Sequence, residues 1–108
     1  MATPGDSGEA PQVNIDETIR RLGAKKGVEA VTVLTKDGCV IRTTATDEIA
    51  QVQARLLSRL AHSAAEIVEE LDGQDALSFL RIRTKRHEIM VALDHSYLLV
   101  VVQSPQSD

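Results

Sequence analysis

The chain has 108 residues, with 12 Lys and Arg against 16 Asp and Glu, a net charge of -4, one Phe, one Tyr and no Trp. At this length we expect a single small domain, and with so few aromatic residues its core must be aliphatic. The excess of acidic residues argues against a protein that binds polyanions in general, and two aromatic residues provide no platform on which the bases of single-stranded nucleic acid could stack. We therefore expect no nucleic-acid partner.

The two ends of the chain differ in composition from its middle. Residues 1–12 contain two of the three prolines and hardly any apolar side chains, and the last residues are similar. This composition predicts disordered tails at 1–12 and 105–108 around a folded domain at 13–104. Because the sequence contains neither an apolar stretch of about 18 residues nor a signal-peptide pattern, we expect a soluble, intracellular protein with no membrane partner.

A short helix and a β-hairpin are the first predicted elements. Asn14 is a favourable N-cap, and Glu17 three residues later completes a capping-box pattern, so a helix is predicted to begin there. The β-branched and apolar run at 28–36, the Asp-Gly dipeptide at 37–38 and the return segment 39–44 then predict a hairpin.

A long helix is predicted from about residue 47 to residue 71, and it carries two adjacent apolar stripes. Together the stripes cover roughly 200 degrees of the helix surface, about twice what packing on one sheet requires. The excess predicts a second packing partner for this helix. The stripe of larger residues contains Ile49, Val52, Leu56, Leu60, Ala64, Ile67 and Leu71, and the stripe of smaller residues contains Ala50, Ala54, Leu57, Ala61, Ala65 and Val68.

Three further strands are predicted at 76–84, 87–93 and 96–103. In the last two strands both the odd-numbered and the even-numbered positions are apolar. Because these positions face opposite sides of a strand, both faces of the sheet are predicted to be covered there. The strand at 76–84 alternates basic and apolar residues, which is typical of an edge, and the strand at 39–44 also resembles an edge.

The element order predicts an α/β fold of the α+β type, arranged α-β-β-α-β-β-β. Its simplest form is a five-stranded antiparallel sheet between two helices, one on each face. In a two-fold dimer, a second copy can pair with the unprotected edge strand and also bury the excess apolar surface of the long helix. Self-association is therefore expected.

The residues with catalytic or metal-binding chemistry are few and poorly spaced. His62 and Glu66 lie four apart on one helix face and could share a metal, but two ligands without a third are more typical of a solvated face. His87 and His95 lie beside predicted turns, and Cys39 lacks a neighbouring basic residue, which favours a half-buried, unreactive strand thiol. We expect no enzyme activity, no catalytic residue, no metal site and no cofactor.

A basic stripe is predicted on the third strand. Arg81, Arg83 and Lys85 occupy alternate positions, so their side chains should share one face at intervals of roughly 7 Å. Two interpretations stay open. The stripe either keeps an edge strand soluble or docks an acidic segment of a partner protein.

The segment 79–92, FLRIRTKRHEIMVA, closely resembles the dynein light chains of the roadblock type. The similarity continues through Tyr97 and Leu98 to Pro105, and it includes the hairpin glycine and Lys26-Gly27-Val28 near the first helix. It extends over essentially the whole chain except the N-terminal tail, and His95 stands where a lysine is expected.

This resemblance implies a noncatalytic accessory light chain of a dynein motor complex, located in the cytoplasm, on the cytoskeleton or in the axoneme of a cilium or flagellum. It implies a dimer, with itself or with a paralogous light chain, whose second strands pair into a ten-stranded sheet and whose second helices meet across the two-fold. The dimer would hold a segment of the dynein intermediate chain. A scaffold or regulator of a small Ras-like GTPase is the alternative, on the basis of the fold alone.

The implied dimer interface consists of a shared strand and a helix seam. We expect the small-residue stripe to form the seam, because small residues let two helix axes approach closely. The strand residues are Val40, Ile41, Arg42 and Thr43, and the seam residues are Ala50, Ala54, Leu57, Ala61 and Ala65.

Overall fold

The computed structural model describes residues 15–105 and contains the seven predicted elements in the predicted order. The predicted helix start at Asn14, the predicted tail at 1–12 and residues 106–108 lie outside the described residues. The elements are α1 (15–23), β1 (Val28–Thr35), β2 (Val40–Thr43), α2 (Asp47–Leu71), β3 (Phe79–Arg83), β4 (Glu88–Leu93) and β5 (Tyr97–Gln103).

The five strands form one antiparallel sheet in the order β2-β1-β5-β4-β3. The edges are therefore β2 and β3, as the sequence predicts. β1, β5 and β4 lie inside the sheet, and β1 and β5 pair over nearly their whole length. A bulge between Val33 and Leu34 interrupts the pairing of β1 with β2.

One helix lies on each face of the sheet, which confirms the predicted fold class. On the first face, Ala54 and Ala61 of α2 share a core cluster with Leu34 and Val100. On the opposite face, α1 covers the β1 side of the sheet, and its Leu22 borders a groove whose floor is formed by β4 and β5.

Local sequence explains where α2 begins. The Thr46 hydroxyl accepts a hydrogen bond from the backbone N–H of Ile49 at 3.3 Å, and Asp47 and Glu48 occupy the first turn. Acidic side chains there interact favourably with the helix dipole. The helix ends at Leu71, before Gly73.

The hairpin between β1 and β2 requires the glycine at its turn. Gly38 has a φ of 98°, in the left-handed region, and a Cβ atom there would lie 2.8 Å from the Ser58 Oγ and 3.3 Å from the Ala54 carbonyl oxygen. Because α2 passes so close to the turn, any side chain at this position would push the hairpin away from the helix.

Replacing this glycine should destabilise the fold. Gly38→Ala is expected to lower the free energy of unfolding by at least about 1–2 kcal/mol, the energy of the left-handed conformation alone. Urea unfolding followed by circular dichroism measures the change. Gly73→Ala is the matched control, since its nearest neighbouring atom would lie 4.0 Å away. Equal losses in the two variants would contradict the close approach.

Candidate interaction surfaces

The outer side of α2 is a continuous apolar surface, which we call the α2 stripe. Its side chains are between 39% and 82% exposed. Scattered apolar residues are common on protein surfaces, whereas a contiguous row along a helix marks an interaction site. The α2 stripe consists of Ile49, Val52, Leu56, Leu60, Ile67 and Leu71.

Three of the five residues of the predicted small-residue seam face the chain's own sheet, which contradicts the assignment of these three to a dimer interface. Ala50, Ala54 and Ala61 are 0%, 0% and 2% exposed and are buried against the chain's own sheet. Leu57 packs against the same core, and Ala65 is half-buried. The physical reason is that close approach of a helix to its own sheet also needs small residues.

The β2 edge presents two of its four predicted interface residues to solvent. Ile41 and Arg42 are exposed, whereas Val40 packs on the core and the Thr43 hydroxyl bonds the Thr32 hydroxyl at 2.8 Å. The Arg42 Nε donates to the Asp16 carboxylate at 3.1 Å, which joins this edge to α1. Within the described residues, only one side of β2 has a strand partner.

The basic stripe is shorter than the alternation of charges predicts. Arg81 and Arg83 share one face of β3, opposite Met90 and Glu88 of β4. Lys85 does not continue this row, because β3 ends at Arg83 and Lys85 lies in the following turn.

A buried carboxylate anchors β3 to the sheet. Glu88 is almost fully buried; its carboxylate accepts a hydrogen bond from the Arg81 Nε and faces the Gln103 amide at 3.4 Å. The hydrogen bond from Arg81 lowers the pKa of Glu88, with help from the charges of Arg81 and Arg83 and against the effect of burial. The same bond raises the pKa of Arg81. Sequence reasoning missed Glu88, although its position opposite an arginine across a predicted hairpin is a signal for it.

The candidate nucleophile and metal ligands do not come together. His62 pairs with Glu66 at 3.2 Å and His87 with Glu29 at 3.4 Å, all outside the core. Between residues 15 and 105, no group of three or more potential ligands could hold a metal ion. Cys39 is exposed in the turn before β2, not half-buried in the strand as predicted. In the same part of the chain, no helix is long and apolar enough to span a bilayer.

The lowered pKa of Glu88 predicts a loss of stability in acid. Because the unfolded carboxyl, with a pKa of about 4.3, binds its proton more readily, the stabilisation is complete above that value and disappears as the pH falls through the folded pKa. Glu88→Gln should therefore lower the melting temperature at neutral pH and reduce its further fall on acidification. Thermal unfolding from about pH 7 to pH 3 measures both.

Glu70→Gln is the matched control for this prediction, since Glu70 is exposed near the end of α2. An acid slope that is equally steep in the Glu88→Gln variant and in the unmodified protein would show that the Arg81–Glu88 pair contributes nothing.

Comparison with known proteins identifies the domain. A family model for the Roadblock/LC7 domain matches residues 14–104. A Roadblock/LC7 domain from Streptomyces avermitilis has 15% identity and a TM-score of 0.74 over 81% of this chain and 74% of its own. The gliding protein MglB from Thermus thermophilus has 18% identity and a TM-score of 0.72, and the match covers 88% of this chain and 74% of that protein. Myxococcus xanthus MglB has 15% identity and a TM-score of 0.73, and the match covers 88% of this chain and 79% of that protein.

The identities to these structures are low, so the structural likeness concerns the fold alone. The family model, in contrast, extends over nearly all of the described residues. The sheet order, the two helices and the family match agree with one another. The chain therefore belongs to the Roadblock/LC7 domain family.

Proposed function

We propose that this chain is a noncatalytic adaptor subunit that acts as a dimer. The α2 stripe carries the proposal, because six large aliphatic side chains stand exposed along one side of a single helix. Each half-exposed side chain of this size gains about 1 kcal/mol on burial. Membership of the Roadblock/LC7 family supports both a noncatalytic role and dimerisation.

A second copy fits this surface better than an unrelated partner. A two-fold axis brings the same patch of both copies together, so the α2 stripe would pack against itself. The β2 edge, which lies beside α2 at the hairpin, would then pair with its own copy and extend the sheet to ten strands. Such pairing removes an exposed strand edge.

Dimerisation should depend on the α2 stripe. Leu56→Glu places a charge in the middle of the stripe, and we expect it to convert a dimer into an 11.7 kDa monomer because a buried unpaired carboxylate is strongly unfavourable. Sedimentation equilibrium at micromolar concentration measures the mass. Gln51→Glu adds the same charge on the exposed side of α2 away from the stripe and should remain dimeric. Monomeric unmodified protein would contradict the proposal.

The partner class that these comparisons favour is a small Ras-like GTPase, for which the dimer would be a scaffold or regulator. Regulation of a small GTPase is the alternative that the fold suggests. The similar solved structures include MglB, which is a gliding protein in Thermus thermophilus, and MglC from Myxococcus xanthus. These neighbours fit a GTPase partner better than a dynein role.

A dynein light chain is the second candidate function. Residues 79–92 resemble the dynein branch of the family, and they form the β3–β4 hairpin with its exposed arginines. In this role the dimer would bind the dynein intermediate chain, in the cytoplasm or an axoneme.

One capture experiment separates the two partners. The tagged full chain is used as bait in extracts of its source cell, with Leu56→Glu as the matched monomeric bait. Ras-like GTPases enriched by the dimer and lost with the monomer would support the first function. Dynein heavy and intermediate chains would support the second. Enrichment of neither class by a well-folded dimeric bait would contradict both.

A further inference from the structure

One end of the sheet carries an open groove of about 490 Å³, which we call the end groove. It lies where the β1–β2 turn, the C-terminal part of α2, the connection from α2 to β3 and the β4–β5 turn come together. Its apolar floor is formed by Ala65, Leu77 and Leu93, which are half-buried. The chain therefore leaves part of this apolar surface uncovered, away from the α2 stripe.

Acidic side chains surround this floor. Glu69, Asp75 and Asp94 line the groove and are exposed, and Lys36 is the one lysine or arginine in its lining. Among residues 15–105, none of these three carboxylates belongs to an ion pair. Their negative charge is therefore available to a cation from outside the chain.

Local hydrogen bonds hold two of these carboxylates in place. The Asp75 Oδ1 accepts a hydrogen bond from the backbone N–H of Ala76 at 2.8 Å, and the Asp94 Oδ1 accepts one from the backbone N–H of His95 at 2.7 Å. A partner would not have to order these two side chains on binding. Binding to side chains that are already ordered has a lower entropic cost.

The end of α2 adds to the negative field at the groove. The C-terminal end of a helix carries about half a negative charge, so basic residues are favourable in its last turn. The last turn of α2 contains no basic residue and contains Glu69 and Glu70 instead. Such a departure from local preference is expected at functional sites rather than at merely solvated ones. A cation bound beside Glu69 would remove the unfavourable interaction.

The charges also decide which occupant suits the end groove. Residues 1–14 and 106–108 contain acidic residues but neither lysine nor arginine, so the chain's own ends are repelled. Nucleic acids and anionic bilayers are repelled for the same reason. A second copy would reach the groove only through a head-to-tail contact, which does not close into a dimer. An apolar floor within an acidic rim is complementary to a basic segment of another protein.

We propose that the end groove binds a basic segment of a partner protein, in which one large apolar side chain is flanked by arginines or lysines. The apolar side chain contacts Leu77 and Leu93. The flanking cations contact the carboxylates of Glu69, Asp75 and Asp94. The groove shares no residue with the α2 stripe, so the proposal does not depend on dimerisation.

A designed peptide tests the end groove in the full chain. The probe has about nine residues, which span about 30 Å when extended, and its central leucine is flanked on both sides by arginines. In the control peptide every arginine is glutamate. We expect the basic peptide to bind saturably by calorimetry, to shift the amide resonances of Leu77, Leu93 and Asp94, and to bind at least about tenfold more tightly than the control.

A charge reversal at the end of α2 tests the contact without weakening the fold. Glu69→Arg should weaken binding of the basic peptide about tenfold and should bind the glutamate peptide better than the unmodified chain does. The same substitution should raise the melting temperature, because a basic residue is favourable in the last turn. Loss of binding in this variant therefore cannot result from unfolding. Glu70→Arg is the matched control, since it makes the same change in the same turn but Glu70 does not line the end groove.

A second variant removes charge and keeps the local geometry. The double substitution Asp75→Asn and Asp94→Asn retains the side-chain oxygens that accept the hydrogen bonds of Ala76 and His95. It should weaken binding of the basic peptide about tenfold, whereas Glu70→Arg should change the affinity less than about twofold at physiological salt, where charges outside the contact are screened.

The outcomes of this experiment are separate from those of the dimer experiment. Leu56→Glu should bind the basic peptide with unchanged affinity, and Glu69→Arg should keep the mass of the unmodified protein. Equal affinity for the two peptides, no saturable binding, or unchanged affinity in Glu69→Arg would overturn the proposal. Groove resonances that shift with protein concentration alone would also overturn it, by assigning the end groove to a second copy.

Discussion

The close contact between α2 and the sheet determines which surfaces of this domain remain open. Ala50, Ala54 and Ala61 are small enough to bring the helix axis down onto β1 and the hairpin, where the turn itself tolerates only a glycine. Because the small residues face inward, the large aliphatic residues of the same helix face outward. The α2 stripe is therefore a geometric consequence of how the core is packed, and its exposure makes an association through this side favourable.

Sequence patterns predict the elements and edges of this fold well but not the rotation of α2. The Asp-Gly turn, the Thr46 cap and the alternation in β3 are local signals, and each element forms where its own residues favour it. Periodicity identifies two apolar stripes on α2 but does not state which of them faces the sheet. That choice depends on how closely α2 can approach the sheet, and at Gly38 the approach is close. Gly38 is distant in sequence from the α2 residues that it contacts. Lys85 departs from the predicted row for a related reason, because the strand ends where the turn begins.

The Arg81–Glu88 pair links the exposed edge strand to the inside of the sheet. An isolated buried carboxylate would be strongly unfavourable, and the bonds from Arg81 and Gln103 offset that desolvation. The carboxylate of Glu88 also neutralises the positive charge of Arg81. Arg83, one step further along the same face, keeps its charge available beside an apolar floor. Glu88 thus pairs with one arginine of the edge strand, and the other has no ion-pair partner among the described residues.

The α2 stripe and the groove that Leu22 borders lie on opposite sides of one sheet and have no residue in common. Binding energies at sites without shared residues add nearly independently, provided that the structure between them stays fixed. Here the structure between them is the core of β1, β4 and β5, with fully buried Leu34, Val91 and Val100. A substitution in the α2 stripe is therefore expected to leave the groove on the opposite side of the sheet unchanged.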